Sequence, residues 1–470
     1  MSTLTMKFGG TSVGGAQAIA QAVRLVLDHA KRWDEIAVIV SAMNSVTDAL
    51  VNGARTAAHG DEQSYRSTVE DLRTRHAHVI EALIESADER TELIRITDCH
   101  LREFAAFCHS VMILGEITPR AMDTISSLGE RINARIIAAL LRQNGVQSEA
   151  IDATEIIVTD DAFQNAVPLM DLTRERVAAR LRPLLANGVI PVITGFMGAT
   201  QEGVTTTLGR GGSDYSAAII GACLDSDEVW TWTDVDGVMT ADPRIVPHAQ
   251  VIPVLSYSEV SELAYFGAKV LHPRTMRPVI EHDIPLWVKN TFNPSCNGSR
   301  VVREAESIPG TIKAVTAIRG MSMVTVEGRG MLGVPGIAAR TFAAVASQGA
   351  SVLMIVQASS EQSICFVIPT DAVLGVVRAL ERELALELSR RDVERVWSHD
   401  GVVIVTAVGA GLRATPGVAA RIFGALSKGD INVIAIAQGS SDCSISLVLD
   451  ANDTVAAVCQ IHDEVIINGR

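Results

Sequence analysis

The residues best suited to chemistry in this chain stand beside glycines. In MKFGGTSVGG (Met6–Gly15) a lysine is followed by four glycines and two hydroxyl side chains. Glycine lets backbone N–H groups come close to an anion, so such a loop can cradle a phosphate while the lysine supplies charge. The order is not that of the nucleotide P-loop, G-x-x-x-x-G-K-[ST], because Lys7 precedes the glycines. Two readings stay open at this point: a phosphate loop of another kind, or a flexible N-terminus. A second cluster, TTTLGRGGSDYSAA (Thr205–Ala218), leads Gly209, Arg210, Gly211 and Gly212 into an apolar helix that Ser213 or Asp214 could cap. Glycine N–H groups, a helix N-terminus and a guanidinium together offer an anion site, with a plain glycine turn as the alternative.

Three more stretches carry candidate groups. SSLGER (Ser126–Arg131) puts Glu130 at the start of an amphipathic helix, where a capping carboxylate would be ordinary. TDVDGVMTADPR (Thr233–Arg244) reads as a strand end, an acidic turn and an Asp-Pro stop. FGAKVLHPRT (Phe266–Thr275) places Lys269 in a helix just ahead of a His-Pro break. A surface turn and a solvated lysine explain the last two equally well.

The elements that must position these groups follow from apolar periodicity. Up to about residue 305, short apolar runs (EIAVIVSA, 35–42; GVIPVITGF, 188–196; EVWTWTDV, 228–235; IPLWVKN, 284–290) alternate with helical segments such as SSLGERINARIIAALLRQNG and GSDYSAAIIGACL. That alternation implies βαβ units around a mostly parallel sheet with helices on both faces. Residues 61–113 are charged and helical, an excursion from the sheet. The sequence after residue 305 changes texture and contains a gapless internal repeat. A unit beginning at Val324 recurs from Val405, an offset of 405 − 324 = 81, which aligns Pro335 with Pro416, Arg340 with Arg421 and Gln357 with Gln438. Each unit reads as a small βαββαβ module. Gly328-x-Gly330-x-x-Gly333 inside it matches a dinucleotide fingerprint, yet a Pro-Gly pair separates it from the helix, and Gln357 stands where an acidic residue should hold a ribose.

Composition sets the outer bounds. The 470 residues are 48% hydrophobic and 20% charged, enough for roughly two to four domains. With a net charge of −14 and no basic run, nucleic-acid binding is disfavoured. No apolar stretch reaches the ~18 residues of a membrane span, and no signal peptide precedes Lys7. Seven cysteines, odd in number and irregular in spacing, suggest reduced thiols and a cytoplasmic protein. The Cys-His pairs at 99–100 and 108–109 fall on opposite faces of one helix, which favours packing over metal binding.

Taken in order, KFGGTSV, SLGER, TTLGRGGSDYSAA, TDVDGV, DPR and FGAKVLHPRT resemble the motifs of aspartate kinases, in the amino acid kinase superfamily. The resemblance spans the whole chain. It implies an amino acid kinase fold over 1–305, a mainly parallel α/β sheet between helical layers, followed by ferredoxin-like ACT modules at 306–400 and 401–470. It also implies transfer of the ATP γ-phosphoryl group to the β-carboxylate of L-aspartate, the first step of aspartate-family amino-acid biosynthesis. Mg²⁺ would accompany ATP, with no protein ligand identified. By the same resemblance Lys7 stabilises the transferring group with the N–H groups of Gly9 and Gly10, and Asp214 orients Lys7 or binds substrate. Arg210 would take the α-carboxylate and Glu130 the α-ammonium, with Ser41 and Thr47 lining the site. On the nucleotide side the pattern points to Thr233, Asp234, Met239, Arg244 and Lys269; the family usually has tyrosine where Met239 stands. Ile355 with Gln357, and Ile436 with Gln438, would hold an allosteric amino acid. Threonine is favoured, because a neutral amide suits a hydroxyl, while Glu361 and Asp442 leave lysine possible. Paired modules imply a homodimer or homotetramer, and the chain ends too soon for the homoserine dehydrogenase of some relatives. A kinase for another amino acid, or a silent amino-acid sensor, are the alternatives.

Overall fold

The computed structural model describes residues 1–268, 271–305, 310–331, 334–357, 362–438 and 441–467. They form two compact units: Met1–Val238 with Val251–Tyr257 and Val270–Ala305, and Met239–Gln250 with Ser258–Lys269 and Glu306–Arg470. The first unit is built on β1 (Thr3–Phe8), β2 (Glu35–Val40), β3 (Ser148–Ile151), β4 (Ile190–Thr194), β5 (Met197–Ala199), β6 (Thr205–Thr207), β7 (Glu228–Thr233), β8 (Val254–Ser256), β9 (Leu286–Asn290) and β10 (Ser299–Val302). Eight of these make one sheet in the order β3-β4-β2-β1-β7-β9-β10-β8, with β5 and β6 pairing separately. Every neighbouring pair in the large sheet is parallel except β9 with β10. β1 and β2 are buried along their whole length, as expected of parallel strands covered on both faces.

Strand β1 sits between β2 and β7. From β1 the chain passes to β2, crosses to the edge strand β3 and comes back to β4 between them, then moves to the other side of β1 for β7 and β9. Such a reversal opens a crevice at the carboxyl ends of the strands. Lys7, in register with Ile39 and Thr231, projects from β1 at that end. The helical excursion is a pair, Glu62–Leu83 capped by Asp61 and Ala87–Leu114 capped by Ser86. Cys108 of the second helix is buried and Cys99 exposed, which agrees with opposite faces, and all seven cysteines are unpaired. Among the described residues no helix is long and apolar enough to cross a membrane.

The second unit contains a six-stranded antiparallel sheet of β11 (Ile312–Glu327), β12 (Met354–Gln357), β13 (Ser363–Pro369), β14 (Arg395–Gly409), β15 (Ala435–Ala437) and β16 (Ser444–Asp450), ordered β12-β13-β11-β14-β16-β15. The repeat is realised element by element: helices start at Ile337 and Val418, strands at Met354 and Ala435, then Ser363 and Ser444, each 81 residues apart. The modules are interleaved rather than sequential. Residues 312–318 pair with 404–409 of the second set, while 323–327 pair with 395–399 of the first, across register shifts between Ile318 and Met323. One long strand therefore serves both modules, and the second takes its fourth strand from upstream of the first. Gly328 and Gly330 mark close packing, not a cofactor loop: a Cβ would lie 2.2 Å from Asp392 O at Gly328 and 2.5 Å from Asp392 Cα at Gly330. Gly333 lies outside the described residues.

Candidate active site

At the carboxyl end of β1 the ammonium of Lys7 forms an ion pair of 2.6 Å with Asp214, and the lysine is largely buried. Asp214 reaches it from the first turn of the helix Gly212–Leu224. That helix is not capped by Ser213 or Asp214. Its N-cap is Gly211, held in the left-handed region at φ 72 with no side-chain cap. The carboxylate that could have closed the helix end faces Lys7 instead, which leaves the first-turn N–H groups of Ser213 and Asp214 available for an anion.

The opening glycine loop divides its work. Gly9 N–H donates to Trp232 O at 3.0 Å, so it is committed to β7 and not to a phosphate. Val13 N–H donates back to Gly9 O at 3.2 Å, closing a single helical turn. Gly10 N–H finds no acceptor among the described residues. The loop is ordered, and its anion-binding part begins at Gly10.

Lys7, Gly10, Ser41, Thr47, Glu130, Arg210 and Asp214 all line one cleft of about 750 Å³. Two positions thus come from strand ends, three from the first turns of helices and the other two from glycine loops, a gathering no local pattern specifies. Ser41, just beyond β2, is fixed by its N–H donating to Phe8 O at 3.1 Å and its carbonyl accepting from Asn133 Nδ2 at 2.6 Å. Thr47 stands in the first turn of the helix Val46–Ala58. Glu130 is brought beside them because Gly129 lets the helix Leu128–Gln143 approach closely: a Cβ there would meet Ala42 Cβ at 2.7 Å. The Glu130 carboxyl is fully enclosed, and burial pushes its pKa up to about 8. Backbone N–H groups of Ala42 and Glu130 oppose that shift, and one oxygen, Oε2, finds no hydrogen-bond donor among the described residues. A buried carboxyl with an unused oxygen beside a cleft suits a cationic ligand.

Arg210 is exposed on the cleft wall and forms no ion pair among the described residues. Its planar fork matches a carboxylate in a way that an ammonium cannot. Arg210→Lys is expected to raise the half-saturating concentration of the carboxylate substrate about tenfold while leaving that of the nucleotide unchanged, measured by steady-state kinetics with each substrate varied.

Asp123 was not singled out from the sequence. It is buried on the cleft wall, where it accepts hydrogen bonds from Gln164 N–H, Thr207 N–H and the Thr207 hydroxyl at 2.9, 3.0 and 2.7 Å. It anchors the strand that leads into the Arg210 loop. An acid in mid-helix, as in PRAMDTIS, carries no local signal of such a role.

The residues expected on the nucleotide side are not gathered with these. Thr233 ends β7 and donates to Asp234 at 3.2 Å, and neither lines the cleft. Met239 and Arg244 belong to the second compact unit, where the Arg244 guanidinium pairs with Asp242 at 2.6 Å. Lys269 lies outside the described residues, and the preceding helix ends earlier, at Tyr265. In the second unit Gln357 lines a hollow of about 310 Å³ with Pro335, Gly336 and Ile337, at the N-terminus of the helix Ile337–Ser347. Ile355 and Ile436 are about half exposed, and Gln438 is exposed. Glu361 lies outside the described residues.

The sequence matches the amino acid kinase family over residues 2–290 and the ACT domain over 324–384 and 405–465. It is 37% identical over 465 residues to the chloroplastic bifunctional aspartokinase/homoserine dehydrogenase of Daucus carota, covering 97% of this chain and 50% of that protein. The chain thus spans about half the length of that relative. It is 32% identical over 465 residues to chloroplastic aspartokinase 3 of Arabidopsis thaliana, covering 98% of this chain and 81% of the relative. The crystal structure of E. coli aspartokinase III with aspartate and ADP superposes with a TM-score of 0.80 at 29% identity, over 99% of this chain and 100% of that one. By family and by the order of its domains, the chain belongs to the amino acid kinases and, among them, to the aspartokinases.

Proposed function

We propose that the protein transfers the γ-phosphoryl group of ATP to the β-carboxylate of L-aspartate, giving 4-phospho-L-aspartate. The observation that carries this reading is the Lys7–Asp214 pair at the end of the central strand, in one cleft with an arginine that has no ion-pair partner among the described residues and with an enclosed carboxyl. A side-chain carboxylate of ordinary pKa, ~3.9, is ionised at neutral pH, so it attacks phosphorus without a general base. What the protein must supply is alignment and positive charge between two anions. Lys7, steadied by Asp214, offers that charge where the transferring group would pass. Gly10 N–H and the first-turn N–H groups of the Gly212–Leu224 helix offer further donors without reorganisation. Arg210 would grip the α-carboxylate and Glu130 the α-ammonium, with Ser41 and Thr47 beside them, which fixes the β-carboxylate toward Lys7.

Mg²⁺ bound to ATP would neutralise charge on the β- and γ-phosphates. The residues fit an ion carried by the nucleotide with its own waters. Asp123 is spent on three hydrogen bonds; of the other carboxyls that line the cleft, Asp48, Glu130 and Asp214, it is Asp214, paired with Lys7, that would face those waters. Thr233, Asp234, Met239, Arg244 and Lys269 remain the proposed nucleotide contacts. Seven unpaired cysteines suit a cytoplasmic enzyme.

Trapping the acyl phosphate as a hydroxamate tests the reaction. With ATP and a panel of amino acids, hydroxamate should form with L-aspartate and not with glutamate or N-acetylglutamate. Preference for another amino acid would reassign the substrate, and no hydroxamate with any would leave a non-catalytic sensor.

Regulation belongs to the second unit. An allosteric amino acid would bind at the module strand ends, with threonine favoured over lysine, in a homodimer or homotetramer assembled through the modules. Gln357 edges a hollow at an uncapped helix N-terminus, which suits a ligand carboxylate, while its amide suits a hydroxyl. Threonine must then prefer the low-activity state by about 1–3 kcal/mol. Gln357→Ala is expected to shift the threonine inhibition curve at least about fivefold, with uninhibited turnover unchanged. Activity titrated with threonine and with lysine, in wild type and variant, checks it; a flat wild-type threonine response removes this effector.

A further inference from the structure

Away from the cleft, His248, His462 and Asp463 bring three metal-ligating side chains together within the second compact unit. His248 Nε2 lies 2.8 Å from Asp463 Oδ1, and His462 Nδ1 lies 3.2 Å from the same oxygen. All three donor atoms fall within 4.8 Å of one another. Ligands of a tetrahedral zinc ion, bonded at about 2.0–2.1 Å, stand about 3.3 Å apart. The cluster is therefore close to a coordination geometry before any ion arrives.

Its surroundings point the same way. His462 is fully buried, and its second nitrogen, Nε2, lies 2.9 Å from Thr240 Oγ1. A histidine that binds metal through one nitrogen is generally oriented by a partner on the other. Thr240 Oγ1 is itself held by Gln250 N–H at 2.9 Å. His462 and Asp463 begin a π-helical turn, His462–Ile467, a conformation that is rare and frequent at functional sites. His248 is exposed, which provides a path for entry and leaves a fourth position open to water. The two imidazole rings meet edge to face at 5.1 Å. Two imidazoles with one carboxylate favour a borderline divalent ion over Mg²⁺ or Ca²⁺, which prefer all-oxygen sites.

We propose that His248 Nε2, His462 Nδ1 and the Asp463 carboxylate form a binding site for a borderline divalent cation of the zinc type. Such an ion clips the segment Met239–Gln250 to the C-terminal turn of the second module. The same segment carries Met239 and Arg244, so the clip restrains the loop assigned above to the nucleotide. The site itself stands independently of the kinase reading.

Zinc binding to the full-length, chelator-stripped protein tests this, without nucleotide and in competition with a chromophoric chelator. His248 and Asp463 are both partly exposed, so His248→Ala and Asp463→Asn are suitable variants. Wild type should bind one more zinc ion per chain than either variant, or bind it more tightly by upwards of about tenfold, the least that loss of even an outer-shell partner costs. Cobalt in the same site should give the visible band of a four-coordinate ion in wild type and none in His248→Ala. Equal zinc stoichiometry and affinity in all three proteins would show that the triad is hydrogen-bonded side chains only, and would overturn the proposal.

Discussion

Lys7→Ala is expected to lower turnover by about 10²–10³, the usual cost of removing one preorganised charge from a transferring group. The ammonium lies near the end of β1, and the backbone that carries it is hydrogen-bonded on both sides, to β2 and to β7. Its pairing with Asp214 at 2.6 Å removes most of its remaining freedom. In the proposed reaction its interaction with phosphoryl oxygens strengthens as charge builds in the transition state, so the loss should appear in kcat. Nucleotide affinity depends on the adenosine and on other phosphate contacts, and should change only a few-fold. Asp214→Asn should produce a smaller defect of the same kind, because it keeps the shape of the site while loosening the lysine. Single-turnover rates and nucleotide binding, measured beside the unfolding midpoint, separate a chemical defect from an unfolded variant. A well-folded Lys7→Ala enzyme with near-normal turnover would remove Lys7 from the chemistry.

The second large effect belongs to Glu130. In the free enzyme burial holds its pKa up at about 8, so near pH 7 it is mostly protonated and neutral. Binding the aspartate ammonium there requires the carboxylate, and hence the release of a proton. Affinity for aspartate should therefore rise with pH, by about tenfold per unit well below pH 8, and level off above it. The sign is that of an acid whose pKa is raised in the free protein and lowered by a cationic ligand. Glu130→Gln retains the shape and cannot ionise. It is expected to weaken aspartate binding by ~30-fold or more, as truncating one partner of a buried charge pair costs about 2–5 kcal/mol, and to flatten the pH dependence. Aspartate saturation measured from pH 6.5 to 8.5 in both proteins is the check. A pH-dependent Gln variant, or a flat wild type, would place the ammonium elsewhere.

The contrast between Glu130 and Arg244 shows what a motif can and cannot convey. Resemblance assigns both to the site. Glu130 lies in the cleft because Gly129 permits a close helix approach, whereas the Arg244 guanidinium is paired with its near neighbour Asp242. Gly9 makes the same point on a smaller scale. Its place in a glycine loop suggested a phosphate donor, yet β7 runs beside β1 and takes its N–H through Trp232.

The sequence by itself determined four strands of the catalytic sheet, β2, β4, β7 and β9, together with the helical excursion and the repeat. Each rests on a local cause: continuous apolar runs for parallel strands buried on both faces, a charged helical run over 61–113, and an 81-residue offset that sets the starts of the helices at Ile337 and Val418 and of the strands at Met354 and Ala435 and at Ser363 and Ser444. Its glycine clusters also marked Lys7, Arg210 and Asp214, since glycine beside charge is a local signature of an anion site. Only the tertiary structure decided which of those groups meet. Lys7 and Asp214 are 207 residues apart, and they touch because β1 and the Gly212–Leu224 helix converge at the reversal of strand order. Asp123 and the histidine cluster left no trace in the sequence, because their meaning lies in partners far along the chain. The interleaving of the modules was equally hidden: βαββαβ periodicity is the same whether a fourth strand comes from the end of its own repeat or from residues 312–318. Strand pairing is chosen by long-range hydrogen bonding and burial, and a repeat in sequence specifies neither.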